Sequence, residues 1–467
     1  MMFLNENNEK FMNDFWDREI VPTLMDFIRI PCLSPNFDPE WESTGHIDKA
    51  LQLVIQWLKP HLRENDNILV KQIKGLTPIL IVDIEGNLDK TVMLYGHLDK
   101  QPEMIGWRED LGPWKPVIEG DKLYGRGSVD DGYAVFAAMA IVKSIRSQGA
   151  NLPQIKIVIE FSEESGSMHF PPYLEAYPEV FGNPDTIICL DSGAGNYDQL
   201  WLTTSLKGMM IADLNVHVLK EGCHSGTASG VIPSSFRILR QLLSRIENET
   251  SGEIHPEALQ VSVPDHRKDD LKAVVDIIGN QLMDSFPVVS GLACVHENVA
   301  DAIIDNTWKT TLSILGQYSI PDGKEAGNVM RPSSGLKLSF RFPPTLDPDI
   351  AAEALTQILT ENPPYQCQIE LDIKTAKGGW DAALYPPEFK NAIDTASQNY
   401  FDKPAIYQGL GGSIGFVTML EEIYPKASFI ITGAFGPHAN IHGPNEFINI
   451  PYAKKVTACV AEIVANI

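Results

Sequence analysis

Residues 91–99 read T-V-M-L-Y-G-H-L-D, an apolar run that ends in a glycine, a histidine and an aspartate. Side chains alternate along an extended strand, so His97 and Asp99 share one face while Leu98 points to the other. A metal-binding histidine usually needs a hydrogen-bond acceptor at its second ring nitrogen, often a carboxylate. The stretch therefore predicts a strand that ends in a candidate ligand, His97, with Asp99 as its orienting partner. A histidine next to an acid is also a frequent structural motif, so this pair alone does not establish a metal site.

Further apolar runs have the same form as this strand. Residues 155–161, 186–190 and 428–432 contain few polar positions. Such runs are typical of strands that are buried on both faces of an α/β sheet. Residues 131–149 place apolar side chains at helical spacing, which predicts a well-buried helix between two of these strands. We therefore predict an α/β fold with a mostly parallel sheet flanked by helices.

A second domain is indicated where the pattern changes, at about Lys207. Residues 209–219 and 335–342 alternate between polar and apolar side chains, as strands with one solvated face do. After residue 378 the first pattern returns. This predicts a discontinuous α/β domain, residues 1–206 and 379–467, interrupted by an inserted α+β domain, residues 207–378.

Composition excludes several classes of function. A chain of 467 residues is too long for one ordinary core, which agrees with two domains. The net charge of −24 argues against binding to nucleic acid or to anionic membranes, since both need a basic surface. The N-terminal residues show no signal-peptide pattern, no apolar segment is long enough to span a membrane, and the cysteines form no C-x-x-C pair. We expect a reduced, cytoplasmic protein.

Acidic residues follow the predicted buried strands. Glu163 and Glu164 follow one run, Asp191 follows the next, and Asp130 and Asp131 precede the buried helix. Each has a bland explanation, a helix cap for Asp131 and a solvated turn for Glu163 and Glu164. Ligands of α/β proteins, however, bind at the carboxyl edge of the sheet, and so many acids there would repel one another unless they bound cations. Mixed histidine and carboxylate ligands suit zinc, manganese or cobalt better than magnesium or calcium.

A second histidine-bearing stretch lies near the C-terminus. Residues 436–446, G-P-H-A-N-I-H-G-P-N-E, follow the predicted strand at 428–432 and contain His438 and His442. The glycines and prolines exclude a regular helical H-x-x-x-H face, so the two histidines need not both be ligands. Besides His438, the histidines predicted as surface or packing residues are His46, His61, His169, His217, His255, His266 and His296.

A set of motifs occurs in a fixed order along the chain: G-H-L-D, Y-G-R-G-S-V-D-D-G, E-E-S-G-S, L-D-S-G and H-G-P-N-E. This ordered set resembles the two-zinc metallopeptidases that include cytosolic non-specific dipeptidase, carnosinases, aminoacylases and glutamate carboxypeptidases. F-R-F and C-H-S-G in the inserted block resemble the carnosinase branch. The resemblance covers the whole chain and implies that residues 1–206 and 379–467 form the catalytic metal-binding domain. The inserted domain would be a lid and dimerisation domain.

The resemblance also implies a role for each matching residue. Glu163 would be the general base, and Asp99 would orient His97. The implied ligands of two divalent ions, zinc or alternatively manganese or cobalt, are His97, Asp130, Glu164, Asp191 and His442, with Asp130 bridging. His442 is preferred to His438 because H-G-P-N-E is the closer match. The implied substrate contacts are His224, Arg341, Ser413 in the loop of residues 411–413, and Asn328. The pair Asp130-Asp131 resembles an acidic pair joined by a cis peptide bond.

The implied activity is hydrolysis of the amide bond of dipeptides or short peptides in a homodimer. Two metal ions about 3.5–4 Å apart activate a water, and Glu163 transfers its proton to the leaving amine. His224 would reach into the partner subunit's site and polarise the scissile carbonyl, and Arg341 would hold the substrate carboxylate. An N-acyl-amino-acid deacylase on the same scaffold is the alternative. A non-catalytic relative would lack some of the ligands or the base, and this chain has them all.

Overall fold

The computed structural model of the protein describes residues 3–286 and 288–467. Met1 and Met2, which begin the segment without a signal-peptide pattern, lie outside the described residues. The strands are β1 (Asn67–Lys71), β2 (Ile79–Ile84), β3 (Thr91–His97), β4 (Val117–Glu119), β5 (Lys122–Tyr124), β6 (Gln154–Glu160), β7 (Thr186–Cys189), β8 (Trp201–Leu206), β9 (Gly208–His217), β10 (Cys223–His224), β11 (Thr311–Tyr318), β12 (Val329–Met330), β13 (Ser333–Phe342), β14 (Gln368–Lys377), β15 (Trp380–Asp381), β16 (Ile406–Leu410), β17 (Ser428–Ile431) and β18 (Phe447–Asn449).

The α-helices are distributed along the whole described chain. They are α1 (Asn5–Phe15), α2 (Val21–Ile28), α3 (Trp41–Thr44), α4 (His46–Leu58), α5 (Ala134–Ser147), α6 (Pro171–Ala176), α7 (Pro178–Phe181), α8 (Ser225–Ala228), α9 (Ser235–Leu243), α10 (Asp265–Ile278), α11 (Val299–Trp308), α12 (Pro348–Thr360), α13 (Pro387–Phe401), α14 (Gly415–Ile423) and α15 (Ile450–Asn466). A π-helical turn, Trp16–Ile20, joins α1 to α2. No helix in the described part of the chain combines the length and apolar character needed to cross a membrane.

The chain forms two compact units. The first comprises Met1–Thr203, Ala382–Gln408 and Gly415–Ile467, and the second comprises Thr204–Asp381 and Gly409–Ile414. The predicted boundaries, after residues 206 and 378, assign Gly409–Ile414 to the first domain instead. This segment belongs with the second unit because Lys207 donates its main-chain N–H to the Gly412 carbonyl at 3.0 Å and accepts the Ser413 hydroxyl at its own carbonyl.

A mixed sheet forms the centre of the first unit, with the strand order β1-β2-β6-β3-β7-β17-β8. The four central strands β6, β3, β7 and β17 run parallel, whereas β1, β2 and β8 pair antiparallel at the two ends. Helices α1, α5, α13 and α15 pack together against this sheet in one apolar core. The predicted α/β fold with a mainly parallel sheet and flanking helices is confirmed.

Gly96 lets helix α5 approach the end of β3. A Cβ atom at this position would lie 2.7 Å from the Ala134 Cβ and 2.8 Å from Asp131 Oδ2. Real Cβ atoms do not tolerate such distances, so a side chain here would push the start of α5 away from the sheet. The glycine before His97 therefore brings the acidic helix start next to the strand end.

The second unit is built on an antiparallel sheet with the strand order β11-β13-β9-β14. One face of the sheet packs on helices α9 and α12, with side chains such as Leu214 and Leu338 in a separate apolar core. The short strands β10 and β12 pair so that His224 lies opposite Val329. This unit has the α+β character predicted for the inserted block.

Candidate metal centre

The predicted ligands follow strands whose carboxyl ends share one edge of the sheet. His97 is the last residue of β3, and Glu163 and Glu164 lie in a 3-10 turn, Glu163–Ser165, after β6. Asp191 follows β7, which is parallel to β3. Because these strands run parallel, their carboxyl ends meet at the same edge, where α/β proteins bind ligands.

Two groups of metal-ligating side chains meet at this edge. One contains His97, Asp130 and Asp191, the other contains Asp130, Glu164 and His442, and the ligand atoms within each group lie within 4.8 Å of one another. Asp130 belongs to both. Its Oδ1 is 3.2 Å from His97 Nε2, and its Oδ2 is 3.0 Å from His442 Nε2. Each carboxylate oxygen thus faces a different histidine, the arrangement expected of a carboxylate that bridges two ions.

The donor atoms of these groups fit divalent cations. His97 Nε2 and Glu164 Oε1 are buried atoms without a hydrogen-bond partner among the described residues. Such atoms are rare in folded proteins, because a buried unpaired polar atom is costly. His97 Nδ1 is already used, since it donates to the main-chain carbonyl of Asp99 at 3.1 Å. Nε2 therefore remains for a ligand, and imidazole with carboxylates is a donor set that suits zinc and manganese.

Asp99 contacts both His97 and the turn that bears Glu163 and Glu164. The sequence did not indicate the contact with the turn. Its carboxylate accepts the main-chain N–H of Glu163 at 3.1 Å and of Glu164 at 3.0 Å. The carboxylate is 3.5 Å from His97 Nδ1, so the shorter contact to His97 comes from the Asp99 carbonyl. The predicted orientation of His97 by Asp99 thus uses the main chain, and the side chain fixes the turn that bears Glu163.

The carboxylates of the centre have shifted pKa values. Burial, reinforced by Asp191, raises the pKa of Glu163 well above its ordinary value. Burial, reinforced by Asp130, raises the pKa of Glu164 to about 7. Cations at this site would lower both values, because an adjacent positive charge favours the ionised carboxyl. Bound cations would therefore compensate the negative charge of these buried carboxylates.

The histidines of the centre hold protons when no cation is bound. Burial alone would lower the pKa of His442, but its hydrogen bonds to Asp130 and Glu164 raise it to about 11. Burial likewise opposes protonation of His97, but the neighbouring carboxylates of Asp191, Asp130 and Asp99 together outweigh it and raise the pKa of His97 well above its ordinary value. Metal ligands must be deprotonated, so a metal ion competes with these protons.

Metal affinity should therefore increase with pH. His442 is protonated below about 11 in the ion-free protein. Each proton that a bound ion displaces makes the apparent affinity rise about tenfold per pH unit below that pKa. Dissociation constants for Mn²⁺, measured between pH 6 and pH 8, should fall along this slope. His442→Asn should make the slope shallower, whereas His438→Asn should not change it. An affinity that is constant over this range would contradict the assignment.

The two C-terminal histidines differ in their distance from the carboxylates of the centre. His438 and His442 both have positive φ, 64° and 61°. His442 Nε2 is 3.2 Å from Glu164 Oε2, whereas His438 belongs to neither group of potential ligands, although both side chains are exposed. The peptide bond between Asp130 and Asp131 is cis, as the family resemblance implies.

A buried ion pair that the sequence reasoning missed joins the two loops of the centre. Glu446 accepts Arg126 Nη1 at 2.6 Å and the main-chain N–H of Gly127 at 2.9 Å. Arg126 Nη2 also donates to the Gly443 carbonyl at 2.9 Å. The pair thus links the loop before Asp130 to the loop that bears His442. Both residues lie inside the quoted motifs, but a charged residue in a turn gives no sign that it will be buried.

Arg126→Met should destabilise the protein strongly. It leaves the buried carboxylate of Glu446 without its partner, which costs about 3–5 kcal/mol in the free energy of unfolding. Urea unfolding should show this loss, and Arg126→Met combined with Glu446→Leu should recover part of it. Arg108→Met removes an exposed ion pair with Asp110 and should change stability far less. Equal effects of the two single substitutions would contradict a structural role for Arg126.

Gln101 is a second residue that the sequence reasoning missed. Its Nε2 donates to Glu164 Oε2 at 2.7 Å and so fixes the orientation of a predicted ligand. Loss of such a supporting hydrogen bond typically costs about 10–100-fold in metal affinity. We expect this loss for Gln101→Ala in a chelator competition assay, with the exposed Gln52→Ala as control. Unchanged affinity would show that Glu164 needs no support from Gln101.

The predicted substrate contacts lie in the second unit and form two pairs. Arg341 Nη1 donates to Ser413 Oγ at 2.9 Å. His224 precedes Ser225, whose main-chain N–H donates to the Asn328 carbonyl at 3.0 Å. His224 Nδ1 accepts the N–H of Gly226 at 3.1 Å, which places the proton of a neutral ring on Nε2. An exposed Nε2–H donor is suited to polarising a carbonyl.

Comparison with known proteins identifies the family. Residues 93–466 match the model of peptidase family M20/M25/M40. The chain is 24% identical over 380 residues to a cysteinylglycine-S-conjugate dipeptidase of Corynebacterium striatum, and the aligned region covers 80% of each chain. It is 26% identical over 290 residues to the β-Ala-His dipeptidase of Mus musculus, 61% of this chain and 58% of the relative. The structure of human carnosine dipeptidase 1 aligns with a TM-score of 0.79 at 20% identity and covers 100% of both chains. The resemblance inferred from the motifs is confirmed: the chain belongs to peptidase family M20/M25/M40 and is a metal-dependent peptidase.

Proposed function

We propose that this peptidase hydrolyses dipeptides or short peptides and uses two divalent ions, with zinc as the native metal and manganese or cobalt as alternatives. The observation that carries the proposal is the position of Asp130, which belongs to both groups of ligating residues. His97 and Asp191 would hold one ion with it, and Glu164 and His442 the other. Dipeptidases among the related proteins support a small peptide as substrate.

The protein's own residues would divide the reaction between them. The bound ions supply a lowered pKa for water and polarisation of the amide carbonyl. Glu163 takes the proton from the attacking water and returns it to the leaving amine. Asp99 holds Glu163 in place through its main-chain N–H. The Nε2–H of His224 stabilises the oxyanion, and Arg341 with Ser413 binds the substrate carboxylate.

The two units would have separate tasks. The first is the catalytic metal-binding domain, and the second is a lid and dimerisation domain of a cytoplasmic homodimer. His224 would serve the site of the partner subunit, and Asn328 would add a polar substrate contact. The family resemblance supports these assignments, together with the neighbouring positions of His224 and Asn328 in the second unit.

A panel of substrates tests the proposal against its alternative. The metal-loaded protein should hydrolyse α-dipeptides or β-alanyl dipeptides with a kcat/KM at least about tenfold higher than that for N-acetyl amino acids. Each substrate should be measured with zinc, manganese and cobalt in turn. The carboxylate contacts of Arg341 do not separate the two activities, since both substrate classes have a free carboxylate. Preference for N-acetyl amino acids would replace the dipeptidase assignment by deacylase activity.

A further inference from the structure

Lys207 is a buried lysine between β8 and β9 in the second unit. It is 1% exposed, and its Nζ donates to the Asp305 main-chain carbonyl at 3.2 Å and to Thr311 Oγ1 at 3.3 Å. A buried ammonium group normally pairs with a carboxylate, because an uncompensated charge in the protein interior is costly. Both acceptors here are neutral, so the hydrogen bonds of Lys207 leave its charge without a counter-ion.

The side chain of Asp305, whose main-chain carbonyl binds Lys207, pairs with other residues. The carboxylate of Asp305 contacts His296 Nε2 at 2.6 Å and Lys309 Nζ at 3.0 Å. Within residues 3–286 and 288–467, neither Lys207 nor Arg341 has an acidic side chain within ion-pair distance. Lys207 and Arg341 therefore lack a direct ion-pair partner among these residues, and Asp305 acts on Lys207 only through space.

Arg341 is the neighbouring cation. It lies on β13 directly opposite Thr311 of β11, the residue that binds the Lys207 ammonium. Burial and the charge of Arg341 lower the pKa of Lys207 to about 7, and the charge of Asp305 opposes them in part. Burial also lowers the pKa of Arg341. Two basic side chains whose hydrogen-bond partners are neutral make a place where an anion would be stabilised, because an anion favours the protonated form of each.

The loop that contacts Arg341 is also fixed by Lys207. The Lys207 N–H donates to the Gly412 carbonyl at 3.0 Å, and its own carbonyl accepts the Ser413 hydroxyl. Ser413 in turn accepts a hydrogen bond from Arg341 at 2.9 Å. Lys207, Arg341 and Ser413 thus form one connected group that contains two basic side chains and a hydroxyl.

We propose that Lys207 is the second cation of a carboxylate-binding site headed by Arg341, and that it selects substrates with a free C-terminal carboxylate. The inference rests on the proposed peptidase function and adds a specificity residue to it. A carboxylate fits this group because it can accept from the Arg341 guanidinium while the buried ammonium group of Lys207 supplies further positive charge. A C-terminal amide offers no negative charge and should gain nothing from Lys207.

The test compares binding of L-alanyl-L-leucine with binding of its C-terminal amide. Both are titrated calorimetrically into the metal-loaded Glu163→Gln protein, in which turnover is blocked. Lys207→Met should weaken binding of the acid at least about tenfold and leave binding of the amide unchanged. Lys207→Gln, which can keep both hydrogen bonds, should have the same effect and serves if the methionine variant does not fold. Lys207→Arg should retain most of the difference in affinity between the acid and the amide.

Lys337→Met is the matched control. Lys337 is a cation on the same strand as Arg341 and lies about 13 Å away from it, since a strand rises roughly 3.3 Å per residue. At that distance its charge is screened, because the Debye length at physiological salt is about 8 Å. Discrimination between acid and amide should therefore survive this substitution.

The outcomes separate this inference from the proposed function. A preference for the acid that is lost in the Lys207 variants supports the inference, even if the unsubstituted protein hydrolyses no dipeptide. In that case only the proposed function fails. Equal loss of acid and amide binding in the Lys207 variants would show a merely structural role and overturn the inference. A protein with Lys207 intact that does not distinguish the acid from the amide would overturn it as well.

Discussion

Glu163→Gln should abolish turnover while the protein keeps both metal ions. The side chain lies in the turn that follows β6, next to the predicted ligand Glu164 but in neither group of ligating residues. Its loss should therefore spare metal binding and remove the group that takes the proton from water. General acid–base catalysis contributes about 10²–10⁴-fold, and we expect kcat to fall by the upper part of this range.

Metal content and kcat, measured on the same preparation, check this expectation. Glu179→Gln removes an exposed carboxylate of the same unit and should leave both quantities unchanged. Activity within about tenfold of the unsubstituted protein would show that Glu163 is not the base. Loss of metal together with activity would instead place Glu163 among the groups that hold the ions.

Asp130→Ala should remove both ions at once. Asp130 belongs to both groups of ligating residues, with one carboxylate oxygen facing His97 and the other facing His442. Since two ions supply several kcal/mol of transition-state stabilisation, we expect kcat/KM to fall by more than about 10³-fold.

The contrast with His442→Ala makes the Asp130 prediction specific. His442 belongs to one group only, so its variant should keep the ion held by His97, Asp130 and Asp191. Asp121→Asn, an exposed aspartate in the turn before β5, serves as the control for loss of a carboxylate. Elemental analysis should give about two ions per chain for the control, about one for His442→Ala and less than one for Asp130→Ala. Two retained ions in Asp130→Ala would refute a bridging role.

Several parts of the centre could be predicted because they depend on short-range patterns. An apolar strand that ends in His97, and acids directly after two further strands, are visible in the sequence. The parallel arrangement of β3, β6 and β7 then brings these residues to one edge. The family motifs add the order in which they occur. Strand direction and periodicity are therefore enough to predict which residues share this edge.

Other parts depend on contacts between distant residues and could not be predicted. Glu446 and Arg126 are 320 positions apart, and burial of the pair results from the approach of two loops. The assignment of Gly409–Ile414 to the second unit depends on main-chain hydrogen bonds to Lys207. The short distances from His442 to Asp130 and Glu164, which favour it over His438, depend on how the loop after β17 folds. Periodicity carries no information on any of these.

The most direct test of the central claim is reconstitution of the metal-free protein. Bound ions are removed with a chelator, Zn²⁺ is added in measured equivalents, and hydrolysis of a dipeptide is followed at each step. The shared position of Asp130 predicts no turnover without metal and maximal turnover at two equivalents per chain. Turnover that persists in the stripped protein, or that is complete at one equivalent, would contradict a two-ion centre.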